Sequence, residues 1–310
     1  MADLRFVWVD VFTDRPFGGN PLVVFPQAPE LPADLMQSIA KEFNLSETVF
    51  VRPPDDPAHH ARLRIFTPAV ELPMAGHPTI GAAFVLAAEG LITTRPGATQ
   101  VVFEEGVGPI EVTIHRAGEA ITSVEMRQPS PVFGPVFGDR GLAARLLSLD
   151  VTDLRDDLPL QTVSCGVPYL LVPVKTLDAV RRIRLRMDVY EEHFAMSPDT
   201  EAIYAFTLET IDPANTAHCR MFAPAGGVPE DPATGSAAGP LGCYLNRHTL
   251  APASAVDPDP HRLEQGHAVG RISLLQVRLD SLREAQAGPS VLGRSIKIAA
   301  GRLREEMIRP

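Results

Sequence analysis

The amino-acid sequence predicts an α+β protein built from two similar lobes. The chain has 310 residues, and because one domain usually takes about 150 residues, we expect two domains. Segments with the spacing of strands alternate irregularly with segments of helical spacing, which favours an α+β fold over a regular βαβ order. A stretch that begins at Arg64 resembles another that begins at Arg220, 156 positions later. Together these observations predict two pseudo-symmetric lobes.

In the first half, the aromatic and β-branched stretch Leu4–Phe12 predicts the first strand. Asp34–Asn44 has apolar residues at helical spacing, with Asp34 as the N-cap. Pro78–Glu89 predicts a buried helix, because it is apolar on all sides and is followed by Gly90. The other strands predicted in this half are Leu22–Phe25, Thr48–Arg52, Ala61–Phe66, Gln100–Phe103, Ile110–His115 and Ser123–Gln128.

A proline- and glycine-rich stretch, 129–139, marks the expected boundary between the lobes. The predicted domains are residues 1–128 and 129–294, and a strand at Ser295–Ala299 is expected to return to the first lobe. The second half has two predicted helices, Gly141–Leu149 and Thr234–Asn246. Its predicted strands are Gln161–Ser164, Tyr169–Val174, Ala202–Leu208, Cys219–Phe222 and Ile272–Leu279.

The internal repeat aligns RIFTPAVELPMAGHPTIGAA, from Arg64, with RMFAPAGGVPEDPATGSAAG, from Arg220. Six of the 20 positions are identical, where chance predicts on the order of one. The alternative is that RxFxPA is a common sequence between a strand and a loop. If two ancestral lobes face each other across a pseudo-two-fold axis, the N-termini of both apolar helices point into one cleft. Each carries about half a positive charge, so such a cleft would bind a carboxylate.

Composition and charge exclude several classes of function. The formal net charge is −10, which disfavours binding to nucleic acid. Three cysteines without a CxxC pair give neither a disulfide scaffold nor a zinc pattern. No apolar run approaches the roughly 20 residues of a membrane helix, and the N-terminus lacks the apolar core of a signal peptide. We therefore expect a soluble cytoplasmic protein without a metal and with no nucleic-acid or membrane partner.

The polar residues that could carry chemistry lie close to the predicted helix starts and in glycine-rich loops. Glu47 is in NLSETVF, His77 in AGHPTIG, and Asp231 and Ser236 are in EDPATGSA. Each also has a structural interpretation. Glu47 could be an ordinary surface carboxylate, His77 and Asp231 could cap helices, and Ser236, with Thr234, could be a hydroxyl of the first helical turn.

Six motifs, taken in order, cover nearly the whole chain. They are FGGNP (17–21), NLSETVF (44–50), AGHPTIGAA (75–83), SCGVP (164–168), GVPEDPATGSAAG (227–239) and QGHAVGR (265–271). In this combination the chain resembles the PhzF family of phenazine-biosynthesis isomerases. The resemblance implies the diaminopimelate-epimerase-like fold, in which each of two lobes is an antiparallel β-barrel around a central helix and the active site lies between them.

The resemblance also implies roles for individual residues. The family's archetype moves a proton between two ring carbons of a dihydro-hydroxyanthranilate, as a homodimer and without metal or organic cofactor. Its general acid/base is the glutamate of the SET motif, here Glu47, and His77 and Asp231 complete the catalytic set. The implied substrate-binding residues are Gly76, Gly235, Ser236 and Asn20.

Two other functions are compatible with this fold. Diaminopimelate epimerases and proline racemases use one cysteine per lobe as opposed bases, whereas Ala75 and Pro232 occupy the matching positions here. A small-anion binding protein would use the same cleft without catalysis, but it would not need a carboxylate base beside an anionic ligand. The presence of Glu47, His77 and Asp231 therefore favours a cofactor-free isomerase that acts on a small cyclic or unsaturated carboxylate.

Overall fold

Two apolar helices, α2 (Gly76–Ala88) and α6 (Gly235–Thr249), are buried along most of their length. Both consist mainly of small and aliphatic residues, so apart from the polar last turn of α6 neither has a polar face to turn to solvent. In the computed structural model, which describes residues 4–197, 199–249, 260–279 and 288–304, each helix lies in a different compact unit. Unit 1 comprises Met1–Arg127 with Leu292–Pro310, and unit 2 comprises Gln128–Val291.

Unit 1 surrounds α2 with strands. Helix α2 packs against the first, second and eighth strands of the chain and against the last one. A shorter amphipathic helix, α1, covers an aromatic core on which its residues Met36 and Ile39 are buried. The elements are β1 (Leu4–Val11), β2 (Asn20–Phe25), α1 (Ala33–Phe43), β3 (Glu47–Arg52), β4 (Ala61–Phe66), β5 (Glu71–Leu72), α2, β6 (Gly97–Glu105), β7 (Gly108–Ala117) and β8 (Ala120–Arg127).

The last strand of the chain, β18 (Ser295–Leu303), belongs to unit 1. It pairs antiparallel with β1 from Leu4 opposite Leu303 to Val11 opposite Ser295. The first strand therefore lies between β2 and the last strand, and its backbone groups are paired on both edges.

Unit 2 packs α6 against three strands, which are β10 (Gln161–Ser164), β11 (Pro168–Pro173) and β16 (Ser273–Arg278). A separate core, which includes Tyr190 and Phe194, lies under three short helices. The elements are β9 (Val132–Val136), α3 (Arg140–Leu146), a 3₁₀ turn (Val151–Asp153), β10 (Gln161–Ser164), β11 (Pro168–Pro173), α4 (Leu177–Arg182), α5 (Met187–His193), β12 (Ile203–Thr207), β13 (Ala217–Ala223), a 3₁₀ turn (Pro224–Gly226), β14 (Val228–Asp231), α6, β15 (His261–Gln265), a 3₁₀ turn (His267–Val269) and β16 (Ser273–Arg278). Strand β17 (Ser290–Gly293) leads back to unit 1.

The two units repeat one order of strand pairing. In unit 1, β2 pairs parallel with β3, β3 antiparallel with β4, and β4 parallel with β6. In unit 2, β11 pairs parallel with β12, β12 antiparallel with β13, and β13 parallel with β15. In unit 1 the central helix follows the short strand β5, which pairs with β4. In unit 2 it follows the short strand β14, which pairs with β13. The segments at an offset of 156 thus lie on corresponding elements.

Each copy of the repeat also contains one bidentate arginine–glutamate pair. Arg64 donates to both carboxylate oxygens of Glu71, and Arg220 donates to both oxygens of Glu230. Each guanidinium lies over the phenylalanine ring two positions further along its strand, 5.3 and 5.1 Å from the centroid. The arginine and the phenylalanine that the two copies share thus make similar contacts, although their glutamate partners lie at different positions of the repeat.

Several predicted element boundaries differ from the observed ones. Helix α2 begins at Gly76 rather than Pro78, so His77 lies in its first turn. The predicted boundary stretch 129–139 contains a strand, β9, that pairs with β10. Helices α4 and α5 and the strands β14 and β15 were not predicted, because they are short and have weak periodicity. None of the helices within the described ranges has the length and apolar character that a membrane span requires.

Candidate active site

The polar group in unit 1 begins with the loop that leads to β2. Gly19 has a φ of 61°, and an added Cβ would lie 2.2 Å from the carbonyl oxygen of Val11. Only glycine fits this position without strain. The tight loop places Asn20 at the start of β2, where it is fully buried.

Two neighbouring elements bring Glu47 and His77 to the same place. Glu47 is the first residue of β3 and lies opposite Leu22 of the parallel strand β2. His77 is in the first turn of α2, directly after Gly76. Its Nε2 lies 3.2 Å from Oε2 of Glu47, and the two side chains are 3% and 13% exposed.

The other ring nitrogen of His77 fixes its tautomer. Asn20 Nδ2 donates to His77 Nδ1 at a distance of 3.1 Å, so the proton of the neutral ring is on Nε2, toward Glu47. Burial lowers the pKa of His77 to about 3, which keeps the ring uncharged at neutral pH. Nε2–H and the carboxylate lie within ion-pair distance but are not aligned as a hydrogen bond.

A buried carboxyl lies behind the first turn of α2. The hydroxyl of Thr79 lies within hydrogen-bond distance of the carboxyl of Glu105, at the end of β6, and 2.6 Å from the carbonyl oxygen of Ala75. Burial raises the pKa of Glu105 to about 8. A protonated Glu105 can donate to Thr79, which then donates to Ala75, so the chain of hydrogen bonds is complete without a buried negative charge.

The second polar group lies in unit 2, around the start of α6. The hydroxyl of Thr234 donates to Oδ2 of Asp231 at 2.6 Å. The amide nitrogen of Gln265 donates to the Asp231 carbonyl at 2.8 Å and contacts Thr234 Oγ1 at 2.9 Å. Tyr204 donates to the amide oxygen of Gln265 at 3.0 Å. These contacts hold Asp231, which is 4% exposed, in a fixed position.

The predicted substrate-binding residues of α6 have partners in the same unit. Ser236 Oγ lies 2.6 Å from the hydroxyl of Tyr169. The carbonyl of Gly235 accepts from the side chain of Gln128 at 2.9 Å. The structure thus groups the predicted residues into two sets: Asn20, Glu47, Gly76 and His77 in unit 1, and Asp231, Gly235 and Ser236 in unit 2.

The residues that hold these sets in place were missing from the sequence prediction. Gln265 was part of the QGHAVGR motif but had no assigned role, and Tyr169, Tyr204 and Thr79 had none either. Their contacts join positions as far apart as 67 residues, between Tyr169 and Ser236. The QGHAVGR motif was the only available signal for Gln265, because contacts between residues that are far apart in the sequence leave no local pattern.

The cysteines do not provide a pair of bases. Cys165, Cys219 and Cys243 are all buried thiols, and burial raises the pKa of Cys219 to about 12. A thiol with such a pKa is protonated at neutral pH and is a poor base. This supports the sequence argument against a two-cysteine epimerase.

Comparison with known proteins identifies the family. The sequence profile of the phenazine biosynthesis-like proteins, PhzC-PhzF, matches residues 9–301. The chain belongs to this family. An uncharacterised isomerase of Mesorhizobium japonicum is 35% identical over 308 residues, covering 98% of this chain and 99% of that protein. The trans-2,3-dihydro-3-hydroxyanthranilate isomerase of Pseudomonas fluorescens is 33% identical over 301 residues, covering 96% and 98%.

A solved structure agrees with the family assignment. The crystal structure of the Bacillus anthracis phenazine biosynthesis protein of the PhzF family superposes with a TM-score of 0.85 at 28% identity. The alignment covers 98% of this chain and 100% of that one. The mixed α/β fold of this PhzF-family member is therefore that of a solved relative over almost its full length.

Proposed function

We propose that this PhzF-family protein is a cofactor-independent isomerase that moves a proton between carbons of a small cyclic or unsaturated carboxylate. The observation that carries the proposal is the 3.2 Å approach of Glu47 Oε2 to the neutral, Nε2-protonated ring of His77. Relatives of similar length, named as isomerases, support the reaction class.

Glu47 acts as the single general acid/base in this proposal. Its carboxylate removes a proton from one carbon and, as the acid, returns it to another carbon on the same face. The neutral ring of His77 lies beside the Glu47 carboxylate without adding a positive charge there. The amide nitrogen of Asn20 can only donate a hydrogen bond to Nδ1 of His77. It therefore keeps the ring in the tautomer that has its proton on Nε2.

The remaining roles follow the family resemblance. Asp231 is proposed as the third catalytic residue, and its contact with Thr234 fixes its carboxylate. The substrate carboxylate is proposed to bind backbone N–H groups at helix starts, where the helix dipole favours an anion. The residues that we propose for binding are Gly76, Gly235, Ser236 and Asn20.

The finer architecture is part of the same proposal. We infer that each unit is a β-barrel around its central helix, with domains at 1–128 and 129–294 and the strand 295–299 in the first of them. We also propose a homodimer located in the cytoplasm. The repeated strand order and the burial of α2 and α6 support the barrel arrangement.

The test uses the substrate named for the Pseudomonas fluorescens relative. Purified protein is incubated with trans-2,3-dihydro-3-hydroxyanthranilate in heavy water, and isomerisation and deuterium incorporation are followed by NMR. A general acid/base contributes about 10²–10⁴-fold, so Glu47→Gln is expected to lower turnover by that factor while substrate still binds. The matched control is Glu42→Gln, an exposed position in α1, which should retain normal turnover.

Near-normal turnover in Glu47→Gln would remove this residue as the base and make His77 the next candidate. Binding of small carboxylates by the unaltered chain without any exchange would instead favour the small-anion binding protein.

A further inference from the structure

Three potential metal ligands meet in unit 2, on elements that follow from the strand pairing. His218 on β13 lies directly opposite Glu264 on the parallel strand β15. His267 follows three residues later, in the 3₁₀ turn after β15. One ligand atom of each residue lies within 4.8 Å of those of the other two. No motif in the sequence pointed to this group, because the register between β13 and β15 brings it together.

Each of the two histidines has one buried ring nitrogen that lacks a hydrogen bond. Nδ1 of His218 and Nδ1 of His267 both have no hydrogen-bond partner in the structure, and His218 is 2% exposed. Buried polar atoms in proteins are nearly always satisfied, so each such atom needs an explanation. Nδ1 of His218 lies 3.5 Å from Oε1 of Glu264. Two ligands bound to one tetrahedral ion at about 2.1 Å are separated by about 3.4 Å, close to that distance.

The carboxylate of Glu264 is held in place by other groups. The backbone N–H of Ile211 donates to its Oε1, and the side-chain amide of Asn215 donates to its Oε2 at 3.3 Å. Protein metal sites commonly orient a ligating carboxylate by such hydrogen bonds. The two histidine rings are tilted by 45° with centroids 5.0 Å apart, so they are not stacked face to face.

The donor set selects a class of ion. Two imidazoles and one carboxylate suit zinc and the divalent ions of iron, cobalt and nickel, whereas calcium and magnesium prefer oxygen ligands. The positive charge of Arg181 acts on both histidines. That charge opposes a bound cation, and the carboxylate of Glu264 acts in the opposite direction on both histidines.

We propose that His218, Glu264 and His267 bind one divalent transition-metal ion, with zinc as the best match. The ion ties the turn at His267 to the strands β13 and β15. Gln265 lies between these ligands in sequence, and its side chain holds Asp231 and Thr234. The ion therefore fixes the segment that positions Asp231 and takes no part in the proton transfer, so the inference stands independently of the proposed function.

The experiment uses the full chain, treated with chelator and dialysed. Calorimetric titration with zinc is expected to show one ion per chain, and cobalt is expected to give the intense visible absorption of an ion with fewer than six ligands. His267→Ala, at a half-buried ligand, should weaken zinc binding at least tenfold and abolish that absorption. His193→Ala, at a histidine of α5 in the same unit, is the control and should leave both unchanged.

Two results would overturn the proposal. The first is that cobalt added to the unaltered chain gives only the spectrum of the hydrated ion. This measurement needs no variant, so it does not depend on whether His267→Ala folds. The second is equal zinc affinity for His267→Ala and His193→Ala.

Discussion

Replacement of the buried carboxyl of Glu105 by an amide should stabilise unit 1 in a pH-dependent way. Burial raises the pKa of Glu105 from 4.5 to about 8, against the opposing effects of hydrogen bonds from Thr79 and the backbone of Ala75. A raised pKa means that the folded state holds a proton that the unfolded chain releases above about pH 4.5. The stability from this proton is complete below pH 4.5 and is lost as the pH rises through 8.

The size of the effect follows from the shift. One pKa unit corresponds to 1.36 kcal/mol, so the shift from 4.5 to about 8 corresponds to about 5 kcal/mol at high pH. Glutamine has nearly the same shape as a protonated glutamate and cannot ionise. Glu105→Gln should therefore raise the free energy of unfolding little at about pH 4.5 and by up to about 4 kcal/mol at about pH 8.

The single tryptophan gives a direct measurement, because Trp8 lies on β1 in unit 1. Urea unfolding is followed by its fluorescence at about pH 5 and about pH 8.5. The adjacent residue is a matched control, since hydrogen bonds from Asp55, Asp56 and His59 lower the pKa of Glu104 to about 2. Glu104→Gln should destabilise the protein at neutral pH. Equal effects of Glu105→Gln at both pH values, or destabilisation at the higher one, would refute the reasoning.

Two further predictions concern buried ionisable side chains. Burial lowers the pKa of His77 from 6.5 to about 3, so the unfolded chain binds a proton that the folded one does not. Stability should fall between these pH values as the solution is acidified. His77→Gln should reduce this fall by at most about 5 kcal/mol, since the pKa falls from 6.5 to about 3 and each pKa unit corresponds to 1.36 kcal/mol; an unchanged acid-unfolding curve would contradict this. Arg220→Ala should cost about 3–5 kcal/mol in urea unfolding, since the arginine is 6% exposed and its loss leaves Glu230 unpaired. The repeat-related Arg64→Ala, at 20% exposure, should cost about 1 kcal/mol or less, and equal costs would show that burial does not decide the difference.

The sequence predicted what depends on local pattern. The apolar stretch that became α2 and the helical spacing that became α1 were found within two residues of their observed starts. The repeat was visible because its identities keep a constant offset, and the shared arginine and phenylalanine make similar contacts in both units. The motifs with SET and GHPT also pointed to Glu47 and His77, which lie 3.2 Å apart.

The contacts that fix the candidate site depend on strand register, which no local pattern specifies. Asn20 meets His77 across 57 residues, and Tyr204 meets Gln265 across 61. Glu105 occurs beside Glu104 in the sequence, and nothing there distinguishes the carboxyl that is buried in the core from the one that is hydrogen-bonded at its edge. Which of the two faces the core depends on the alternation along β6, and the end of a strand is where that alternation is hardest to predict.

The pairing of β1 with β18 has a consequence for synthesis on the ribosome. The two strands pair from Leu4 opposite Leu303 onward. Strand β1 is therefore made long before its partner β18. At about 5–20 residues per second, this delay is on the order of 15–60 s. During that time all strands of unit 2 have emerged and can pair, while one edge of β1 has no partner. An unpaired strand edge is a site for aggregation, so β1 is open to incorrect strand pairing until β18 has been made.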